Sequence, residues 1–127
     1  MMRLAQVTLV VRDYDEAIAF YCGVLGFALK EDTALTADKR WVVVSPGEGG
    51  ADLLLAKAAN EAQEAAIGAQ TGGRVAFFLN TDSFDEDYVR LVAAGAAFLE
   101  EPRTEAYGRV AVFRDLYGNK WDLIERA

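Results

Sequence analysis

The chain has 127 residues, 53% of them hydrophobic, with 13 basic and 20 acidic side chains and no histidine. Such a length and apolar share give one ordered globular domain with a real core rather than a disordered chain. A formal charge of −7 has the wrong sign for a phosphate backbone, and no apolar run reaches the length of a membrane span, so neither nucleic acid nor a membrane is expected as a partner.

Residues 5–11 alternate with period two, Val7, Leu9 and Val11 on one face and Gln6, Thr8 and Val10 on the other, which predicts a strand. Asp13 and Glu16 form a capping-box-like start to a helix with the stripe Ala17, Phe20, Tyr21, Val24 and Leu25, ended by Gly26. Strands are predicted near 27–34, 39–45 and 51–56, with Pro46–Gly50 as the turn between the last two. Segment 58–70, "AANEAQEAAIGAQ", is helix-compatible and reads as a connector.

The pattern then restarts. Val75, Phe77 and Leu79 make one strand face, with Arg74, Ala76, Phe78 and Asn80 opposite. Asp82 is expected to cap a helix with the stripe Phe84, Tyr88, Leu91 and Val92, stopped at Gly95. Strands near 96–101, 108–114 and 119–125 follow, the last hairpin turning at Gly118-Asn119. The order β-α-β-β-β thus occurs twice: a first module of about 1–57, a connector of 58–71 and a second module of about 72–127, all within a single domain 1–127. Two copies are too few for a solenoid. They are expected to lay curved mixed sheets side by side with helices outside, leaving a cleft between the modules.

The missing histidine removes the Ser-His-Asp triad, the Cys-His dyad and every imidazole metal ligand. Acid–base work would fall to carboxylates, Lys, Tyr or the one thiol. That thiol, Cys22, sits inside a predicted helix with no base beside it and reads as a packing residue; alone, it can form no internal disulfide, which fits a reducing cytoplasm. The N-terminus turns amphipathic within a few residues and does not read as a signal peptide.

Superimposing the halves places Gln6 on Arg74 and, through "RWVVVSPGEGGADLLLAK" and "RVAVFRDLYGNKWDLIER", Asp52 on Asp122. These four polar side chains are the candidate site. "VTLVVRDYDEAIAFYCGVLGF" and "YGRVAVFRDLYGNKWDLIE" resemble the opening and closing motifs of the vicinal oxygen chelate superfamily, which includes glyoxalase I, bleomycin- and fosfomycin-resistance proteins and ring-cleaving dioxygenases. The resemblance implies an α+β fold of two βαβββ modules, a homodimer, and metal ligands at the positions of Gln6, Asp52, Arg74 and Asp122. It also implies, for an enzyme, a lyase, isomerase or dioxygenase. Arg74 departs from the pattern, because a guanidinium has donors and no lone pair. Our expectation is therefore no metal cofactor, with Arg74 standing in for the ion between Asp52 and Asp122. A divalent ion on Gln6, Asp52 and Asp122 is the alternative.

Three functions stay open at this point. An enzyme would use Arg74 to hold an anionic oxygen and Asp122 or Asp52 as base, although an Asp beside Arg is expected to have a lowered pKa. A binding protein would hold a small polar or anionic molecule against aromatic walls such as Trp41, Tyr107 and Phe113, with Phe78 and Trp121 as further candidates and residues 101–108 as a mobile rim. An inactive scaffold would keep only its dimer surface. In a purely structural reading, Gln6 pairs backbone at a strand edge and Arg74–Asp122 is an ion pair.

Overall fold

A computed structural model describes all residues, Met1–Ala127. The chain forms two compact units, Met1–Ile67 and Gly68–Ala127. The mixed α+β architecture has two open sheets, one in each unit, and no helix is long and apolar enough to cross a membrane.

In the first unit, β1 (Gln6–Val11) leads into α1 (Tyr14–Ile18), whose winding continues as a π-helical run over Ala19–Val24. Strands β2 (Ala28–Ala34), β3 (Arg40–Ser45) and β4 (Asp52–Lys57) complete a sheet in the order β1-β4-β3-β2. The first and last strands pair in parallel, and the others pair antiparallel. Asp13 starts the helix as expected, its carboxylate accepting from the Glu16 amide at 2.9 Å. Leu9, Val11, Val42, Val44 and Leu55 lose all contact with water, as do Ala17 and Tyr21. They form one core of about the kind that period-two and helical stripes demand when they meet. Segment 58–71, expected as a connector, contributes α2 (Glu61–Ala66), which begins at an Asn60 cap and packs on β1.

The second unit repeats the plan with β5 (Val75–Asn80), α3 (Phe84–Ala93), β6 (Ala97–Phe98), β7 (Arg103–Glu105), β8 (Gly108–Arg114) and β9 (Lys120–Arg126). Its sheet runs β5-β9-β8-β6, with β7 also on β8 and with β5 parallel to β9. Phe113 and Trp121 stack within the core, with Phe77 against Trp121 and Phe98 against Phe113. Gly108 permits the close pairing of β8 and β9: its φ is 148°, and a Cβ there would lie 2.2 Å from the Glu125 carbonyl oxygen.

Several local expectations change. The N-cap of α3 is Ser83 rather than Asp82, and Ser83 makes no side-chain cap. Glu125 on β9 does that work from another element, its Oε1 accepting from the Phe84 amide at 2.8 Å. Val92 points outward at 47% exposure, so the buried stripe of α3 is Phe84 and Leu91. Asn119 has no positive φ. It donates instead to the buried Asp115, which also accepts from the Tyr117 amide and from the Trp121 indole nitrogen, so four bonds fix the last turn around one carboxylate. The expected strand 96–101 is cut to two residues, and part of the expected rim is strand β7.

Because Glu125 supplies the missing cap, Glu125→Ala should cost about 1 kcal/mol in urea unfolding, near the loss seen for a removed cap residue. Unchanged stability would show that the Phe84 amide is satisfied by other means.

Candidate functional site

Residues directly opposite one another in a ladder point to the same face of the sheet. In the first unit, Gln6 lies opposite Asp52, so the two sequence-predicted side chains stand side by side. Leu54 and Val43 share this face, and alternation along β3 brings Trp41 to it as well. The opposite face carries Leu53, Leu55, Val42 and Val44 against the helix.

The cation beside Asp52 comes from β2. Pairing between β2 and β3 slips after Leu29: Leu29 faces Val44 and Glu31 faces Val43, leaving Lys30 as the extra residue of a bulge. A bulge re-aims one side chain, and here it sends the Lys30 ammonium to Asp52 Oδ2 at 3.2 Å. The Asp52 side chain is 16% exposed and that of Lys30 is 46% exposed. The Ser45 hydroxyl and then Lys30 hold the Asp52 carboxyl below the usual carboxylate range, with Arg3 adding a weaker pull and burial opposing all three. Ser45 Oγ also donates a long 3.2 Å bond to the Gly47 carbonyl, and a hydroxyl rotor can turn between these two acceptors. Asp52 Oδ1 is buried without a partner.

In the second unit, Asp122 lies between Phe78 on β5 and Val112 on β8, and shares their face. Phe78 is 64% exposed. Burial pushes the Asp122 carboxyl above the usual range; Arg103 pulls it down and Glu100 pushes it further up. The lowering expected for Asp122 rested on Arg74, which is not beside it, and the pull of Arg103 does not overcome burial. Arg103 makes its hydrogen bonds elsewhere: its Nε donates to Glu100 at 3.1 Å, and its Nη1 to Glu105 at 2.8 Å and to the Tyr107 hydroxyl at 3.2 Å. Glu100 in turn accepts from the Val112 amide. Asp122 Oδ1, like its counterpart, is buried without a partner.

Arg74 does not pair with Asp122. It lies in the bend before β5, is exposed, and its side chain enters no ion pair or hydrogen bond; its carbonyl accepts from Thr71 Oγ1. The ladders show the difference in register. Gln6 stands opposite Asp52 and Phe78 opposite Asp122, with Ala76 left over at a register slip, so Arg74 precedes the position equivalent to Gln6. Phe113 is fully buried against Trp121 in the core and is no wall, and Trp121 is buried with it. Tyr107 is 46% exposed and tied to Arg103. Lys30, Arg103 and Glu100 were missed in the sequence. The one signal was the charged run Lys30-Glu31-Asp32, which breaks strand alternation where the bulge occurs.

These residues fit a divalent ion poorly. Histidine is absent, an ammonium already holds Asp52 Oδ2, Phe78 offers Asp122 no donor across the ladder, and no group of three His, Cys, Asp or Glu side chains converges. Asp122, with its folded-state pKa raised, favours the fold below the unfolded carboxylate value, and this contribution is lost as pH rises through the folded value. Asp122→Asn should therefore melt about 1–3 °C higher than the parent at pH 7, a small effect at a partly solvated site. The gain should vanish as pH is lowered past the ordinary carboxylate range; a gain that persists in acid would contradict the assignment.

Comparison with known proteins places this geometry. An uncharacterized protein of Shewanella frigidimarina is 54% identical over 124 residues, covering 96% of this chain and 92% of that protein. The crystal structure of UcmS2 matches with a TM-score of 0.84 at 31% identity, over 98% of each chain. TnmS3, an antibiotic binding protein from Streptomyces sp. CB03234, matches with a TM-score of 0.80 at 26% identity, over 100% of this chain and 98% of that one. With residues 3–123 matching the family model, the chain belongs to the Glyoxalase/Bleomycin resistance protein/Dioxygenase superfamily.

Proposed function

We propose that the protein binds a small polar or anionic molecule without a metal ion and holds it chemically unchanged, as a homodimer in the cytoplasm. The observation that carries this reading is the Lys30–Asp52 pair. An acid position that the superfamily resemblance would give to a metal is answered here by a cation of the chain itself. The likeness to TnmS3, an antibiotic binding protein, supports a binding rather than a transforming role. Trp41, which shares the sheet face of Gln6 and Asp52, is the aromatic side chain we assign to that face of the site.

A second reading, a metal-dependent lyase or dioxygenase with Gln6 and Asp52 among its ligands, is favoured by one observation: the two lie directly opposite in the β1–β4 ladder. One experiment separates the two. Small anions and antibiotics are screened by thermal shift, and each stabilising compound is then extracted and weighed by mass spectrometry, with and without chelator. At a hundredfold excess over its dissociation constant a ligand adds about 2.7 kcal/mol and lifts the melting point by several degrees. The proposal expects such a shift, an unaltered compound and no effect of chelator. Chelator-sensitive conversion of the compound would establish the second reading instead.

A further inference from the structure

We propose that Lys30 is the residue that selects the ligand, and that it selects a carboxylate; this rests on the binding reading above and gives it a chemical class. The argument begins with what the face around Asp52 offers to a molecule arriving from solvent. Asp52 Oδ1 is buried and so closed to it, and Oδ2 is taken by Lys30. The Asp52 carboxylate offers an incoming amine or ammonium at most the second lone pair of Oδ2, on a side chain that is 16% exposed. Donors remain. An ammonium carries three N–H bonds; Asp52 accepts from one of them, and the side chain is 46% exposed. Gln6, directly opposite Asp52, has a side-chain amide that bonds to nothing else in the protein. Arg3 adds positive potential at the same carboxylate.

The position of Lys30 follows from its bulge rather than from chance reach. In an unbroken ladder Leu29 and Glu31 would share one face and Lys30 the other, but the slip puts Leu29 opposite Val44 and Glu31 opposite Val43, on different faces. Lys30 thereby extends across β3 to the third strand in from the sheet edge. Asp52 fixes the ammonium in place, its own ionisation favoured by Ser45 and Lys30. A fixed, half-exposed ammonium beside a free amide is the donor arrangement that a carboxylate's two oxygens accept.

The test uses benzoate as probe and benzamide as its uncharged counterpart, read on the lysine ammonium and glutamine side-chain nitrogen resonances of the intact protein. Benzoate should shift the Lys30 and Gln6 signals with saturation, and benzamide should bind about tenfold more weakly. Lys30→Met should weaken benzoate about tenfold, whereas Lys30→Arg, which keeps the charge, should stay within about threefold. Lys30 is half exposed on an edge strand, so both variants should keep the parent circular dichroism. Equal benzoate affinity in Lys30→Met, or benzoate that leaves the Lys30 and Gln6 signals still, overturns the assignment. If other compounds still bind and are recovered intact, the binding reading survives that failure; if none does, both fall.

Discussion

In each unit the parallel pairing of first and last strands fixes which side chains meet. Period-two alternation turns Leu53 and Leu55 of β4, and Trp121 and Leu123 of β9, into the core. That choice forces Asp52 and Asp122 onto the opposite face, because a strand cannot bury one set without presenting the other. The apolar register thus creates the electrostatic problem: a largely enclosed carboxylate on each sheet, with one oxygen left unbonded. Every feature of the candidate site is a response to it.

The two units respond differently. In the first, an extra residue in β2 delivers an ammonium, and the Asp52 carboxyl is held ionised below the usual range. In the second, burial dominates and holds the Asp122 carboxyl above that range, while Arg103, which pulls it down, makes its hydrogen bonds to Glu100, Glu105 and the Tyr107 hydroxyl. Duplication preserved the backbone plan and left the charges free to diverge. Opposite shifts at equivalent positions are also how one fold assigns unlike tasks to like residues.

Much of this was legible in the sequence, for identifiable reasons. Strand alternation in 5–11, the Asp13 cap and the helical spacing of Ala17, Tyr21 and Leu25 are local signals, and they lead directly to elements found at those positions. The repeat put Gln6 and Asp52 into one candidate set, and the β1–β4 ladder sets them directly opposite one another. What escaped was non-local. The Glu125 cap on α3 joins residues 41 apart in the chain, and the Lys30–Asp52 pair joins residues 22 apart through a bulge whose register no single segment announces. Matching the halves by residue type put Arg74 where the ladder puts Phe78, and it took Phe113 for a wall when its strand face is the core.

The claim beneath this account is that two equivalent carboxyls are held on opposite sides of the ordinary value by their own surroundings. Carbon-detected titration of the Asp52 and Asp122 carboxyls measures it directly. The account predicts an Asp52 midpoint below the ordinary value of about 3.9 and an Asp122 midpoint above it. Two midpoints at the ordinary value, or the reverse order, would contradict it.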